Sequence, residues 1–341
     1  MANEGSAESV CCRWQYGCGM RGGRIVVDWR AMLRELFRIP GTDFAVYSYG
    51  LMLVIAILAA VWLAKALARR RGMDPELFVN AGLLALVSGV VGARLSHVLE
   101  NWSHYMNPSL DWSQRLWMMI NIREGGLTYY GGFLLAFPVL VWYGVHKKVS
   151  VRVGMDVIAP CLMVGLAFGR IGCLLNGCCY GQEYNGACAV TFPYYSDAYV
   201  EQVQKGEIVP PRELLVAEVG GQRLLKPDEA KGDPELLTLM KQQHSRPVHA
   251  TQVYSSITGF LIAGLLLVYM PFAVVPGSVF ALMLMIEPVT RFLLEMLRVE
   301  PAVLGPMSLS MVLAIPQFVL GVALWLAFRW YHRSAGNRGL A

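Results

Sequence analysis

Charge is scarce in this chain: Asp, Glu, Lys and Arg make up 16% of its 341 residues, against 55% apolar residues. Soluble domains carry about 25% charged residues, so this composition does not serve a water-facing fold. Cysteine is also sparse, at 8 residues, which excludes a disulfide-stapled miniprotein. The period-two alternation of an outer-membrane barrel is missing, and an open strand in lipid would leave backbone groups unpaired. No apolar leader precedes residue 44, so no cleavable signal peptide is expected. The basic residues fall in short clusters beside apolar runs, with no aromatic-studded basic groove, and no nucleic-acid partner is expected.

Long apolar runs are what remains. A helix needs roughly 20 mainly apolar residues to cross the hydrocarbon layer, and seven windows qualify: 44–67, 77–99, 127–145, 153–175, 251–270, 275–296 and 308–331. The expected fold class is therefore an all-α integral membrane protein with seven transmembrane helices and a small extracytoplasmic head module. Residues 1–43 form an N-terminal extension and interfacial segment. The seven-helix domain spans 44–331, interrupted by a polar insert at 100–126 and by the head module at 178–248. Residues 332–341 form a tail.

Lys and Arg are retained on the cytoplasmic side of short loops. Lys65, Arg69, Arg70 and Arg71 follow the first span, Lys147, Lys148 and Arg152 follow the third, and Arg329, Arg333 and Arg338 follow the seventh. This predicts a multi-pass protein of the bacterial cytoplasmic (inner) membrane, with its N-terminus and head module outside and its C-terminus in the cytoplasm. Arg13, Arg21, Arg24 and Arg30 run against that orientation. A natural start at Met32, with residues 32–39 as a short interfacial helix, removes the conflict.

With this topology the polar residues sort to one leaflet. Arg94, His97 and Asn101 share one helix face, and so do Glu287, Arg291, Glu295 and Arg298. A charged side chain inside a span costs at least about 2.5 kcal/mol and normally faces a partner or an aqueous cavity. Pairing of Arg291 with Glu295 at i, i+4 is the structural alternative, but it leaves Arg94, Arg170 and Arg298 without an assigned counter-ion. An arginine excess near a membrane surface suits an anionic ligand, and the abundant anion there is a lipid phosphate. Packing is the expected role of Gly165. For Gly131 and Gly132, helix packing and close approach to a ligand stand equally.

The segments GRIGCLLNG (169–177), RPVHATQVY (246–254) and RFLLEMLR (291–298), with YGLML, GAR, GGLTYYGG and LSM in order around them, carry a resemblance. The chain resembles the bacterial prolipoprotein diacylglyceryl transferases. The resemblance implies phosphatidylglycerol as donor, a prolipoprotein with a lipobox cysteine as acceptor, and a thioether and glycerol 1-phosphate as products. It requires no metal or soluble cofactor. It places Arg170 and Arg291 around the lipid phosphate and adds Tyr130 and His249 to the catalytic candidates. Tyr49, Arg94, Gly131, Gly132, Asn176, Gln252, Tyr254, Glu295 and Arg298 are the substrate-binding candidates.

Two departures stand out. The family usually has His-Gly-Gly where this chain has Tyr130, Gly131 and Gly132. Either Tyr130 acts as an activated phenol, or His249 takes the thiol proton, or no side-chain base is needed. Cys173 and Cys178 replace residues the family more often shows as Asn and Glu. The spacing C-x4-C-C-x8-C lacks the C-x2-C pairs of ordinary structural zinc sites, so no metal is expected. A disulfide from Cys178 or Cys179 to Cys188 fits an oxidising exterior, and Cys161 reads as a small buried apolar residue. His97 stands on the Arg94 stripe, while His104 reads as an interfacial residue. The alternative function is a non-catalytic lipid- or lipoprotein-binding relative. A transporter is disfavoured, since the polar residues do not line a path through the midplane and no inverted repeat is visible.

Overall fold

The computed structural model describes residues 18–21, 24–27, 35–38, 45–106, 111–121, 128–186, 189–218, 221–230, 232–300 and 302–338. Helices dominate: α1 (Ser48–Arg70), α2 (Pro75–Glu100), the short α3 (Trp102–Tyr105) and α4 (Trp112–Ile120), α5 (Tyr129–His146), α6 (Val151–Asn176), α7 (Asp197–Gln204), α8 (Pro234–Gln242), α9 (Thr251–Tyr269), α10 (Ser278–Glu295) and α11 (Leu309–Arg338). Five of these, α1, α2, α6, α9 with its 3-10 extension, and α11, are long and apolar enough to cross a membrane, which makes the chain a multi-pass membrane protein. Each of the seven apolar windows is helical; of the other two, α5 spans 18 residues with Gly131–His146 as its described apolar stretch, and α10 carries Glu287, Arg291 and Glu295 within its 18 residues.

The chain divides into two compact units. One comprises residues 1–56, 166–260 and 287–316, the other 57–165, 261–286 and 317–341.

The second unit is organised around an apolar cluster that includes Leu67, Phe78, Val157, Met163, Leu266, Val279 and Met283. Helix α2 starts where Pro75 follows Asp74, whose carboxylate accepts from the Glu76 amide at 2.9 Å, a proline-at-N1 start under an Asp cap. Asp156 of α6 is 1% exposed and caps another helix: its carboxylate accepts from the amides of Gly277, Val279 and Phe280 at 2.7, 2.9 and 3.0 Å. Those amides are the otherwise unpaired donors at the start of α10. Helices α2 and α5 cross through glycine. A Cβ on Gly131 would lie 2.2 Å from the Ser96 Cβ, one on Gly92 would lie 2.4 Å from the Gly131 carbonyl, and one on Gly132 would lie 2.9 Å from the Gly89 carbonyl. Of the two roles open for Gly131 and Gly132, this geometry fills the packing one. Gly165 differs from expectation, because nothing among the described residues lies within 4 Å of a Cβ added there.

The first unit holds the strands. β1 (Cys18–Arg21) pairs with β2 (Arg24–Val27), and β3 (Glu35–Arg38) pairs antiparallel with β4 (Ala45–Tyr47). Residues 35–38 are thus a strand, which corrects the interfacial helix expected over 32–39. Pro40 and Gly41 lie between the two strands and favour a reversal over helix continuation. Beyond α6, β5 (Ala189–Val190) pairs with β8 (Val248–His249), and β6 (Leu215–Glu218) forms a hairpin with β7 (Gly221–Leu224). Ser196 and Asp233 cap α7 and α8. Phe192, Val248 and Ala250 fill one small core here, and Tyr199, Leu214 and Met240 fill a second. β9 (Ala302–Leu304) and β10 (Met307–Ser308) form the hairpin before α11.

Candidate functional site

The first unit gathers the starts of α1, α9 and α11 and the ends of α6 and α10. Five of the predicted polar helix ends therefore belong to one compact body.

The end of α6 sets the geometry. Gly177 adopts φ +74°, its amide donates to the Leu174 carbonyl at 3.1 Å, and the Cys178 amide donates to the Cys173 carbonyl at 3.1 Å. This is a Schellman cap, with glycine at the left-handed position and the two capping bonds nested. In that motif the residue after the glycine folds back over the residue five before it. Cys178 is thereby brought to Cys173, and Cys179, itself at φ +62°, turns a third thiol inward. The three sulfur atoms all lie within 4.8 Å of one another, and each side chain is half-buried. Buried residues at the start of α9 hold the turn: the Gln252 Nε2 donates to the Cys178 carbonyl at 2.7 Å and the Thr251 hydroxyl to the Cys179 carbonyl at 2.8 Å. Both Cys178 and Cys179 are free thiols. The bridge expected to Cys188 is therefore not formed by either, and Cys188 itself lies outside the described residues. Thiol hydrogen bonds from Cys173 and Cys178, then the Arg298 and Arg170 charges, hold the Cys179 thiol far below its ordinary pKa, while the same hydrogen bonding pushes Cys178 up. The Arg298 and Arg170 charges favour the thiolate form at Cys179.

Tyr49, at the start of α1, packs against the signature helix. A Cβ on Gly172 would lie 3.0 Å from the Tyr49 ring, so a larger residue there would push the ring aside by a few tenths of an ångström. The phenol is within electrostatic reach of all three thiols and of Arg170.

The arginines separate into paired and unpaired. Arg298 donates to Glu295 at 3.1 Å and to Glu300 at 2.5 Å. Glu295, 5% exposed, also accepts from the Ser308 hydroxyl at 3.0 Å, and Ser308 in turn accepts from the Met311 amide at the start of α11. Arg291 lies 3.8 Å from Glu287 and donates to the Ser310 hydroxyl at 3.3 Å. The pairing weighed from spacing, Arg291 with Glu295, is thus replaced by Arg291 with Glu287, because Ser308 and Arg298 occupy Glu295. Arg298 likewise has the counter-ion that spacing did not assign. Arg170 does not: half-buried, it makes no hydrogen bond or ion pair among the described residues. The side chain of Asn176, half-buried at the helix end, makes no hydrogen bond among them either.

His249 lies in β8 with its ring stacked on Tyr184 at 3.9 Å and edge-on to Tyr254 at 6.2 Å. Its Nδ1 is buried without a partner among the described residues, as is the Nε of Arg298. The remaining candidates belong to the second unit. The Arg94 guanidinium donates to the Met118 and Met119 carbonyls, capping α4, and packs over the Tyr105 ring at 5.7 Å. His97 lies edge-on to Tyr105 at 6.1 Å, and His104 at 5.4 Å. Tyr130 is the second residue of α5, but its side chain lies outside the described residues. The thiol cluster is what spacing rules missed. The signal for it was Gly177, the cap glycine that closes a five-residue separation.

Comparison with known proteins agrees with the signature. The sequence profile of the prolipoprotein diacylglyceryl transferase family matches residues 34–327. A phosphatidylglycerol–prolipoprotein diacylglyceryl transferase of Rhodopirellula baltica is 39% identical over 171 residues, covering 48% of this chain and 33% of the relative. Enzymes so named from Clostridium perfringens (number 2) and Bacillus cereus are 26% and 28% identical, covering 87% and 82% of this chain and 94% and 86% of their own length. The chain thus spans a third of the Rhodopirellula protein and nearly all of the Clostridium one. With the family profile matched over residues 34–327 and Arg170, Arg291 and Arg298 in one unit, the chain belongs to the prolipoprotein diacylglyceryl transferase family.

Proposed function

We propose that this protein transfers the diacylglyceryl group of phosphatidylglycerol to the lipobox cysteine thiol of a prolipoprotein, forming a thioether and releasing glycerol 1-phosphate. The reading rests above all on Arg170. A half-buried guanidinium at the end of a membrane-spanning helix, with no acid or carbonyl to neutralise it among the described residues, is costly unless a ligand anion completes it. A lipid phosphate has the charge and the oxygen geometry for the guanidinium fork. Arg291, loosely held by Glu287 and Ser310, supplies the second cation of the pair. Arg298 is committed to Glu295 and Glu300 and serves to fix the wall of the site.

The chemistry asks little else of the protein. A thiolate attacks the glyceryl carbon, the carbon–oxygen bond breaks, and the departing phosphate gains negative charge beside two arginines. Tyr49, Asn176 and Tyr254 line the lipid, and Gln252 holds the turn that bears the thiols. Either Tyr130 or His249, whose Nδ1 has no partner among the described residues, serves the incoming thiol. The proposed setting has seven spans in the bacterial inner membrane, the N-terminus and the 178–248 module outside and the C-terminus in the cytoplasm.

Tyr130 in place of the family histidine favours a second reading, a lipid- or lipoprotein-binding relative that has lost turnover. One assay separates the two. Purified protein is given phosphatidylglycerol labelled in its acyl chains and a peptide of the L-A-G-C type. Transfer to the cysteine peptide and not to its serine counterpart supports the enzyme. Stable lipid retention with no labelled peptide supports the binding protein and overturns the proposal.

A further inference from the structure

The reaction proposed above leaves three thiols at its centre without a role. Their number and placement point to a ligand. Zinc–sulfur bonds of about 2.3 Å in a tetrahedron put sulfur atoms about 3.8 Å apart. Here the three lie within 4.8 Å without any ion to draw them together. A contraction of roughly 1 Å, available from side-chain rotation, makes the set a ligating one. The backbone is already fixed by the Schellman cap, the left-handed Cys179 and the bonds from Gln252 and Thr251. Little ordering is left to do on binding.

Other accounts of the cluster fail. Cysteine packs well as a small buried hydrophobe, as the 5%-exposed Cys161 does, but these three are half-buried, and Cys179 lies within electrostatic reach of Arg170 and Arg298. No disulfide joins any two of them. Charge also fits: three thiolates and a divalent cation sum to minus one, and two guanidinium groups within electrostatic reach offset it. Among the described residues no fourth His, Cys or carboxylate joins the group. Closed four-ligand sites are structural, whereas three protein ligands with an open position are the mark of sites that act on a bound molecule.

We infer that Cys173, Cys178 and Cys179 form a three-thiolate site for a thiophilic divalent cation of the zinc class, whose fourth position receives the thiol of the peptide substrate. The inference rests on the transferase reading for its substrate. A thiol bound to such an ion is deprotonated outright, its proton passing to solvent. That supplies the nucleophile without the histidine that Tyr130 replaces. The bound sulfur then forms its bond to the glyceryl carbon as the carbon–oxygen bond breaks, and the electron pair leaves with the phosphate toward Arg170. A neutral thioether is a poorer ligand than a thiolate, so the product departs.

The test uses full-length protein in nanodiscs, reduced and stripped of metal, titrated with Cd²⁺ and separately with Co²⁺. The expected result is one ion per chain with thiolate-to-metal absorption. Binding should weaken by at least about 100-fold in the Cys178→Ser/Cys179→Ser double variant and persist in Cys161→Ser and Cys188→Ser. The Co²⁺ spectrum should change when a lipobox cysteine peptide is added and stay unchanged with its serine counterpart. No saturable binding to the unmodified protein would overturn the site whatever the variants do. So would binding that survives the double variant. Loss of binding in Cys188→Ser, or indifference of the spectrum to the cysteine peptide, would overturn the open fourth position. The labelled-lipid assay on the same preparation keeps the two readings apart: full transfer by metal-free protein removes this inference and leaves the enzyme, while peptide-responsive metal without transfer removes the enzyme and leaves the site.

Discussion

The two units satisfy the charged groups of their helices in different ways. In the second unit they turn to the main chain: Asp156 takes three amides at the start of α10, Arg94 takes two carbonyls at the end of α4, and Arg71 donates to the Met270 carbonyl. These bonds position helices and leave nothing for a ligand. In the first unit the charged groups of α6 and α10 turn to other side chains or to no described group, while the buried Gln252 and Thr251 still bond the main chain. Glu295, Arg298, Ser308 and Glu300 form a side-chain network, and Arg170, the Nδ1 of His249 and the Nε of Arg298 have no hydrogen-bond acceptor or donor among the described residues. Native structures leave few buried polar atoms unmatched, and those they leave concentrate where a ligand completes them. On the proposed reading one unit carries architecture and the other carries the chemistry.

The sharpest way to break that contrast is to remove a charge from each side. Arg170→Gln should cut diacylglyceryl transfer by about 100- to 1,000-fold, the usual loss of a group that stabilises developing charge. It should leave thermal stability nearly unchanged, because no described partner is orphaned. Activity within a few-fold of the unmodified protein would show that the unpaired guanidinium is not the phosphate ligand. Gly92→Ala should do the reverse. Its methyl group would sit 2.4 Å from the Gly131 carbonyl and 2.7 Å from the Leu135 Cβ, and such overpacking costs about 2–3 kcal/mol. Unfolding in a mild detergent should shift accordingly, with the loss in transfer tracking the folded fraction. Asp156→Asn should follow at about 2 kcal/mol, since one amide oxygen replaces two charged acceptors for three donors. Here too specific activity per folded molecule should hold; a collapse of activity without unfolding would give Asp156 a role in the chemistry and blur the division.

How much of this was legible beforehand depended on whether spacing left a choice. The apolar windows did not, because without the alternation of a barrel only a helix satisfies the backbone in lipid, and helices occupy every one of them. Along 287–298 spacing did leave a choice. Arg291 has an acid four residues to each side, and only the approach of Ser308 from the β10–α11 junction decides for Glu287. Gly131 and Gly132 were equally ambiguous until the Ser96 and Gly89 contacts appeared. The thiol cluster was hidden by a search for metal motifs with two intervening residues. A helix cap places residues five apart in contact, and Gly177 announced such a cap. Residues 32–39 carried helical composition, yet Pro40 and Gly41 were the stronger signal.

The smallest effect tests whether the contrast follows the units or the membrane. Tyr194 belongs to the first unit but to its polar segment. It is 8% exposed, and its hydroxyl donates to the Leu225 carbonyl at 2.9 Å, a main-chain solution of the kind the second unit uses. Tyr194→Phe should therefore behave like an architectural change, costing about 1 kcal/mol with transfer intact. Its pH signature is specific. Burial first, then the neighbouring tyrosines and Glu229, pushes the phenol above its ordinary value near 10. The folded state thus holds the proton more tightly than the unfolded one. The stability this confers is fully present below about pH 10 and is lost as the unfolded phenol ionises above it. Denaturation between pH 8 and about 11 should show a decline in the unmodified protein that is shallower in Tyr194→Phe. Parallel curves would mean that the phenol titrates alike in both states and that its burial does no electrostatic work. A drop in transfer would extend the chemistry into the polar segment, and the line between the two behaviours would then follow the units themselves.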